Sequence, residues 1–149
     1  MPSAGRELQS EYFVPRRNAV DAILAVEALK DRIGPHLFIT EIRAIAADDL
    51  WMSPAYGRDS IAIHFTWKPE MEAVSRLLPA IERALAPYAA RPHWGKLFTV
   101  APATLRSIYP RLPEFVALAT RYDPRGTFRN AFLNEHLFNA GAGAPPPTR

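Results

Sequence analysis

The chain has 149 residues, 48% of them hydrophobic and 22% charged, a length that suits one domain and an apolar fraction too high for a disordered chain. Eighteen Lys and Arg against fifteen Asp and Glu leave a net charge of +3, spread from Arg6 to Arg149 with no basic run longer than Arg16-Arg17. That scatter speaks against a dedicated nucleic-acid-binding face, and the lack of cysteine excludes a disulfide framework, a thiolate metal site and a Cys nucleophile.

The start, Met1 to Glu7, lacks the apolar core of a signal peptide. The longest apolar run, residues 97–105, is about half a membrane span and is broken by Pro102. The expectation is a soluble cytoplasmic domain with no membrane span. Fifteen prolines force many boundaries between short elements.

Residues 1–9 read as a flexible start. Glu11-Tyr12-Phe13-Val14 is a short β-type run stopped by Pro15. Asn18 is placed to cap a helix with Asp21 in its first turn. Val20, Ile23, Leu24, Glu27, Leu29 and Ile33 keep mostly to helical spacing, and Gly34-Pro35 ends the run. Leu37 to Ala47 reads as a strand, Asp48 to Asp59 as a polar loop, and Ser60 to Trp67 as a second alternating strand.

Lys68-Pro69-Glu70 resembles a helix entry, followed by a stripe of Met71, Val74, Leu77, Leu78, Ile81 and Leu85. Pro79 lies inside that stripe and should kink the helix or split it. Trp94 to Val100 gives a fourth β-type run. Short helices are expected around 103–109 and 113–122, then a turn at Asp123-Pro124-Arg125-Gly126 and a packed segment from Phe128 to Phe138. The Gly/Ala/Pro tail, residues 139–149, cannot bury apolar surface and is expected to be disordered. The order up to Val100 is β-α-β-β-α-β: an α+β, ferredoxin-like antiparallel sheet with its helices on one face and a helical C-terminal extension. The other face must be covered or exposed to water.

Strand parity gathers chemistry on that sheet. Odd positions of the second strand put Glu41 and Arg43 on one face between Ile39 and Ile45, and even positions of the third put Ser60, His64 and Thr66 on one face. A trial pairing of Ala47 with Ser60 sets Arg43 opposite His64 and Glu41 opposite Thr66. Any register of the same parity keeps all four together. An acid, two cations and a hydroxyl on one pleated patch suit a polyhydroxylated or anionic small molecule. The alternative is a solvated outer face with a cross-strand ion pair worth ~0.2–1 kcal/mol. Ile39 and Ile45 argue against full solvation and for a cleft or a partner.

Arg91-Pro92-His93-Trp94-Gly95-Lys96 is the second candidate. The glycine allows close backbone approach, and one of three lysines follows it. A partly buried Lys orients an oxygen or, with a lowered pKa, accepts a proton; the alternative is a Trp94 core anchor beside an exposed Lys96. The four histidines, His36, His64, His93 and His136, show no metal-ligand spacing, and no GxGxxG, P-loop or GxSxG motif occurs.

At these residues the chain resembles the C-terminal region of FAD-dependent alditol and sugar-1,4-lactone oxidases, the D-arabinono-1,4-lactone oxidase family within the vanillyl-alcohol oxidase superfamily. The resemblance runs from Ser10 to Phe138. It is carried by SEYFVPR (Ser10–Arg16), TEIRAI (Thr40–Ile45), IAIHFTW (Ile61–Trp67), RPHWGK (Arg91–Lys96) and YDPRGTFRNAFL (Tyr122–Leu133). It implies that residues 10–138 are the substrate, or cap, domain, whose sheet covers the flavin and supplies the pocket floor. By position, the family's substrate-contacting Glu and Arg match Glu41 and Arg43, its His and Thr match His64 and Thr66, and its active-site Lys matches Lys96.

The implied reaction is alcohol oxidation by hydride transfer to FAD with O2 as acceptor. Arg43, Lys96 and His64 would be catalytic, and Glu41, Arg43, Thr66 and Lys96 would bind a polyol or sugar lactone. Asp123, Gly126, Phe128 and Asn130 look like the family's closing segment, with a structural role. The resemblance includes no FAD-binding region, so the chain alone is expected to be colourless and inactive. One sheet face should be hidden by an FAD-binding domain or chain, or by self-association. The rival expectation is a non-catalytic ferredoxin-like binding or dimerisation module derived from the same scaffold.

Overall fold

Alternation builds the sheet. In β3 (Ser60–Trp67) Ile61, Ile63, Phe65 and Trp67 point one way and Ser60, Ala62, His64 and Thr66 the other. β1 (Leu8–Pro15) divides the same way, with Tyr12 and Val14 against Glu11 and Phe13. With β2 (Leu37–Ile45) and β4 (Arg91–Pro92) they form one antiparallel sheet, ordered β2-β3-β1-β4, in a computed structural model that describes residues 5–138. This is the expected α+β, ferredoxin-like arrangement. The tail expected to be disordered, residues 139–149, lies outside the described residues, as do residues 1–4; Leu8 and Gln9, placed by the sequence in a flexible start, are paired in β1.

The apolar face carries α1 (Ala19–Glu27), α2 (Lys30–Ile33) and α3 (Met71–Leu85). The stripe on α3 buries Val74, Leu77, Leu78, Ile81 and Leu85 in one cluster with Tyr12, Val14, Ile63, Phe65 and Trp67, joined by Ala22 and Ile33. Each fully buried aliphatic or aromatic side chain there contributes about 1.5–3 kcal/mol. Phe65 and Trp67, two apart on one strand face, stack at 5.0 Å with ring planes 5° apart. The Trp67 indole Nε1–H donates to Ser10 Oγ at 2.9 Å inside the core, so the aromatic body is buried without an orphaned donor.

Four local expectations are corrected. Asn18 precedes α1, but its side chain donates to the Tyr88 carbonyl at 3.3 Å instead of capping. The first helical run breaks at Ala28 and Leu29, where Leu29 N–H reaches back only to the Val26 carbonyl; Val20 and Leu24, counted in its stripe, are exposed. Pro79 does not split α3, which runs unbroken for 15 residues. The fourth strand is Arg91–Pro92, not Trp94 to Val100. Pro92 has no N–H to extend the ladder, and the following residues turn, with Lys96 N–H donating to the His93 carbonyl at 3.1 Å.

Residues 101–138 make a second compact unit. It contains α4 (Pro102–Ile108), α5 (Leu112–Tyr122), α6 (Ala131–Leu133) and a π-helical turn, Asn134–Phe138. Pro102 and Pro113 sit in the first turns of α4 and α5, where a missing N–H is harmless. The Asp123 carboxylate accepts from Thr127 and Phe128 N–H at 2.7 and 2.9 Å around Gly126, whose φ of 68° favours glycine. Asn130 caps α6 by accepting from Leu133 N–H at 2.9 Å. Phe128 is exposed. Among the described residues no helix is long and apolar enough to cross a membrane.

Candidate functional site

The sheet face turned away from α1 and α3 carries a row of ionisable groups. β1 lies beside β3, which sets Glu11 opposite His64. β2 lies on the other side of β3 and sets Glu41 opposite the same His64. Arg43 and Thr66 stand one pleat further along their strands, so five side chains share one face.

Glu11 is the hub. It is 4% exposed, and each of its oxygens takes a cation: Oε1 accepts from Arg43 Nη1 at 3.0 Å and Oε2 from Lys96 Nζ at 2.5 Å. Lys96 also meets His64 Nδ1 at 3.0 Å, and His64 Nε2 lies 3.1 Å from Thr66 Oγ1. The other arm of the Arg43 guanidinium donates to Glu41 Oε2. The network grades outward. Glu11 and His64 are buried at the floor, Lys96 is 15% exposed above them, and Arg43 and Glu41 are about half exposed at the rim.

Backbone bonds deliver Lys96. His93 N–H donates to the Glu11 carbonyl at 2.9 Å and Leu97 N–H to the Gln9 carbonyl at 2.8 Å. The turn between them, closed by Gly95 N–H on His93 Nδ1 at 3.0 Å, therefore lies along β1 with Lys96 over Glu11. Trp94 Nε1–H donates to the Met52 carbonyl at 3.1 Å, and the buried Arg91 donates to the Pro54 and Tyr56 carbonyls. These bonds tie the 48–59 loop to the same end of the sheet.

The charges set the protonation states. Burial pushes the Glu11 carboxyl up, but the hydrogen bond and charge of Lys96, then His64 and Arg43, outweigh it and hold the group below its ordinary 4.5. Burial first and the Lys96 charge second lower His64 below its ordinary 6.5, against the opposing pull of Glu11. His93 is lowered by the same two causes in the same order. Around pH 7 the floor therefore holds an ionised Glu11 and a neutral His64.

The structure brings Glu41, Arg43, His64, Thr66 and Lys96 together, as a shared face requires, but in a different register. Ser60 pairs with Ile45, not Ala47, so Glu41 faces His64 and Arg43 faces Ala62. Pairing stops at Ile45, and beyond it the Ala47 N–H donates to Asp59 Oδ1 at 2.9 Å instead of to the neighbouring strand. A shift of two residues preserves the face. Glu11 is the functional residue that sequence reasoning misses, because parity taken over the second and third strands alone does not reach the first. Applied to SEYFVPR in a sheet that places the first strand beside the third, parity puts Glu11 on the polar face.

The D-arabinono-1,4-lactone oxidase family matches residues 2–136. The chain is 48% identical to an alditol oxidase of Streptomyces sp. over 136 residues, which is 91% of this chain and 33% of that protein. It is 39% identical to an L-gulono-1,4-lactone dehydrogenase of Mycobacterium tuberculosis over 135 residues, 89% of this chain and 31% of the other. An L-gulonolactone oxidase of Bos taurus is 28% identical over 134 residues, 86% of this chain and 30% of its own length. The chain spans about a third of these relatives.

Proposed function

The chain belongs to the D-arabinono-1,4-lactone oxidase family, and from that premise we propose that residues 10–138 form the substrate domain of an oxidase acting on alditols or sugar-1,4-lactones. One observation supports the reading above the others: a single buried carboxylate, Glu11, holds two cations side by side, with a second carboxylate and a hydroxyl within one pleat.

An alcohol that is oxidised loses its hydroxyl proton, and its oxygen gathers negative charge before the carbon gives up hydride. Lys96 commits two of its protons to Glu11 and His64, which leaves the third for that oxygen. Arg43 likewise keeps N–H groups beyond those spent on Glu11 and Glu41. Donors fixed in advance by Glu11 need no reorganisation as charge develops, which is how such groups lower a barrier. Neutral His64 sits between Lys96 and Thr66 and orients both. Glu41 at the rim accepts from hydroxyls further along a polyol, and Thr66 contacts a neighbouring one. The length of the substrate is then read along the sheet and its reacting end at Lys96 and Arg43.

FAD, when bound, supplies the hydride acceptor. The described residues do not fit it as its holder. A helix N-terminus with free backbone amides at a glycine turn is a ready pyrophosphate site; among the described residues the glycine between a strand and a helix, Gly95, stands well before α4 and spends its N–H on His93 Nδ1. We therefore assign FAD to a region outside these residues. Joined to an FAD-binding region of the family, the protein is expected to bleach its flavin anaerobically when mixed with an alditol such as sorbitol or with L-gulono-1,4-lactone. Bound flavin that stays oxidised with both would remove the reading and leave the binding-module alternative.

A further inference from the structure

Glu11 is buried with both oxygens occupied and is given no substrate contact in that reading, yet it holds both cations of the site. Resting on the substrate-domain reading, we propose that Glu11 is the positioning residue of this site: through Lys96 it fixes which nitrogen of His64 carries the proton, and through Arg43 it fixes the guanidinium at the rim.

The hydrogen bonds run outward from the floor. An ammonium donates and never accepts, so at 3.0 Å from Lys96 Nζ the His64 Nδ1 must be the acceptor. The ring proton is then on Nε2, which faces Thr66 Oγ1 at 3.1 Å. With its oxygen occupied as an acceptor, Thr66 turns its own hydroxyl hydrogen outward. The face therefore offers donors from Lys96, Arg43 and Thr66, with Glu41 as the rim acceptor, and suits a ligand that places an electron-rich oxygen at the floor.

Glu11 is what holds this pattern. Lys96 is mostly buried, and its nearest counter-charge is Glu11 at 2.5 Å. Glu11 lies 3.9 Å from His64 Nδ1, too far to bond it directly, so it acts on the ring through the ammonium. The charged groups around His64 are Glu11 from β1, Glu41 and Arg43 from β2, and Lys96 from the segment after β4. Neutralising Glu11 leaves Lys96 without its partner in a poorly solvated place. Its flexible stem then carries the ammonium toward water, and Nδ1 loses the donor that fixed the tautomer.

The test is nitrogen NMR on the 149-residue chain labelled with 15N. In the wild type, His64 should show the Nε2–H tautomer and Lys96 a slowly exchanging ammonium signal. In Glu11→Gln, which keeps shape and loses charge, His64 should become a tautomer mixture. The Lys96 signal should exchange about tenfold faster, the worth of one charge-assisted hydrogen bond. Glu11→Asp, which keeps the charge, should restore most of both signatures, whereas restored fold without restored signatures would refute the role of the charge. Lys96→Met should free the tautomer while leaving Glu11 in place. An Nε2–H tautomer that survives both Glu11→Gln and Lys96→Met overturns the proposal. If Glu11→Gln does not fold, the wild-type spectrum decides: an Nδ1–H tautomer or a freely exchanging Lys96 overturns it. Expected spectra combined with a flavin that alditols and lactones do not reduce would sustain the role of Glu11 and sink the substrate reading instead.

Discussion

Glu11 and Lys96 stand 85 residues apart in the chain and meet at 2.5 Å, Nζ to Oε2. Neither is near the other by local structure. The segment after β4 docks on the Gln9 and Glu11 carbonyls along one edge of β1, while β3 pairs with the other. The charge network is thus a product of completed tertiary structure, and its protonation states are coupled to folding.

That coupling gives a pH dependence with a definite sign. Glu11, His64 and His93 are all held below their ordinary values. In each case the unfolded chain binds the proton more readily, so stability rises with pH. The histidine contributions are complete above about pH 6.5 and fall away as pH drops below it, while that of Glu11 is present above about pH 4.5 and is lost as pH falls through its lowered native value. Urea midpoints measured from about pH 8 to about pH 3 should fall in two stages. Glu11→Gln should remove its share of the lower stage, and a midpoint that rises on acidification would contradict the assignment.

The core makes a separate prediction. Ser10→Ala leaves the buried Trp67 indole N–H without its acceptor, which costs about 1–3 kcal/mol. In a Trp67→Phe background the same change should cost about 1 kcal/mol less, because the donor has gone too. Equal costs in the two backgrounds, measured by urea unfolding, would show that the hydrogen bond contributes nothing of its own.

The sequence is most readable where periodicity and burial agree. Ser60–Trp67 alternates without interruption and is the strand the alternation predicts. The stripe on α3 is likewise buried from Val74 to Leu85, while its first member, Met71, is half exposed. The site is readable by parity because every register of the same parity keeps these side chains on one face. Register itself is not, because several registers of one parity satisfy the same apolar alternation, and where pairing ends depends on the loop, where Asp59 takes the Ala47 N–H. The run from Trp94 to Val100 misleads for a similar reason. Its apolar residues suit a strand, but Pro92 and the turn at residues 93–96 decide the backbone, and that turn is what places Lys96. Glu11 is hidden inside a short apolar run whose importance lies in the neighbours it acquires only in the sheet.

Pro79 offers a stability test of its own. α3 runs unbroken through it, yet proline cannot donate to the carbonyl of Ser75, four residues earlier. Pro79→Ala should supply that bond and stabilise the chain by about 1–2 kcal/mol, the helical gain being offset in part by a freer unfolded state. A loss of stability would mean that the packing of the ring outweighs the missing hydrogen bond.

The last prediction separates the roles of floor and rim in the FAD-loaded enzyme. Lys96 and Arg43 are assigned to the oxygen whose charge grows as the reaction proceeds, so their contacts strengthen toward the transition state. Removing either should lower kcat by about 100- to 1,000-fold, the scale seen for loss of one oxyanion donor, with a smaller change in KM. Glu41 is half exposed and bonds Arg43 from the rim. If it binds remote hydroxyls equally in ground and transition states, Glu41→Ala should raise KM about tenfold and leave kcat within a few-fold, the residual change reflecting the freed arm of Arg43. The effect should grow with the number of hydroxyls on the alditol, because a shorter substrate has less to lose at the rim. Steady-state kinetics over a series of alditols checks both halves. A Lys96→Met enzyme that loses only KM would reduce Lys96 to a binding contact. A Glu41→Ala enzyme whose loss is in kcat would move Glu41 to the reacting end and overturn the division of the site along the sheet.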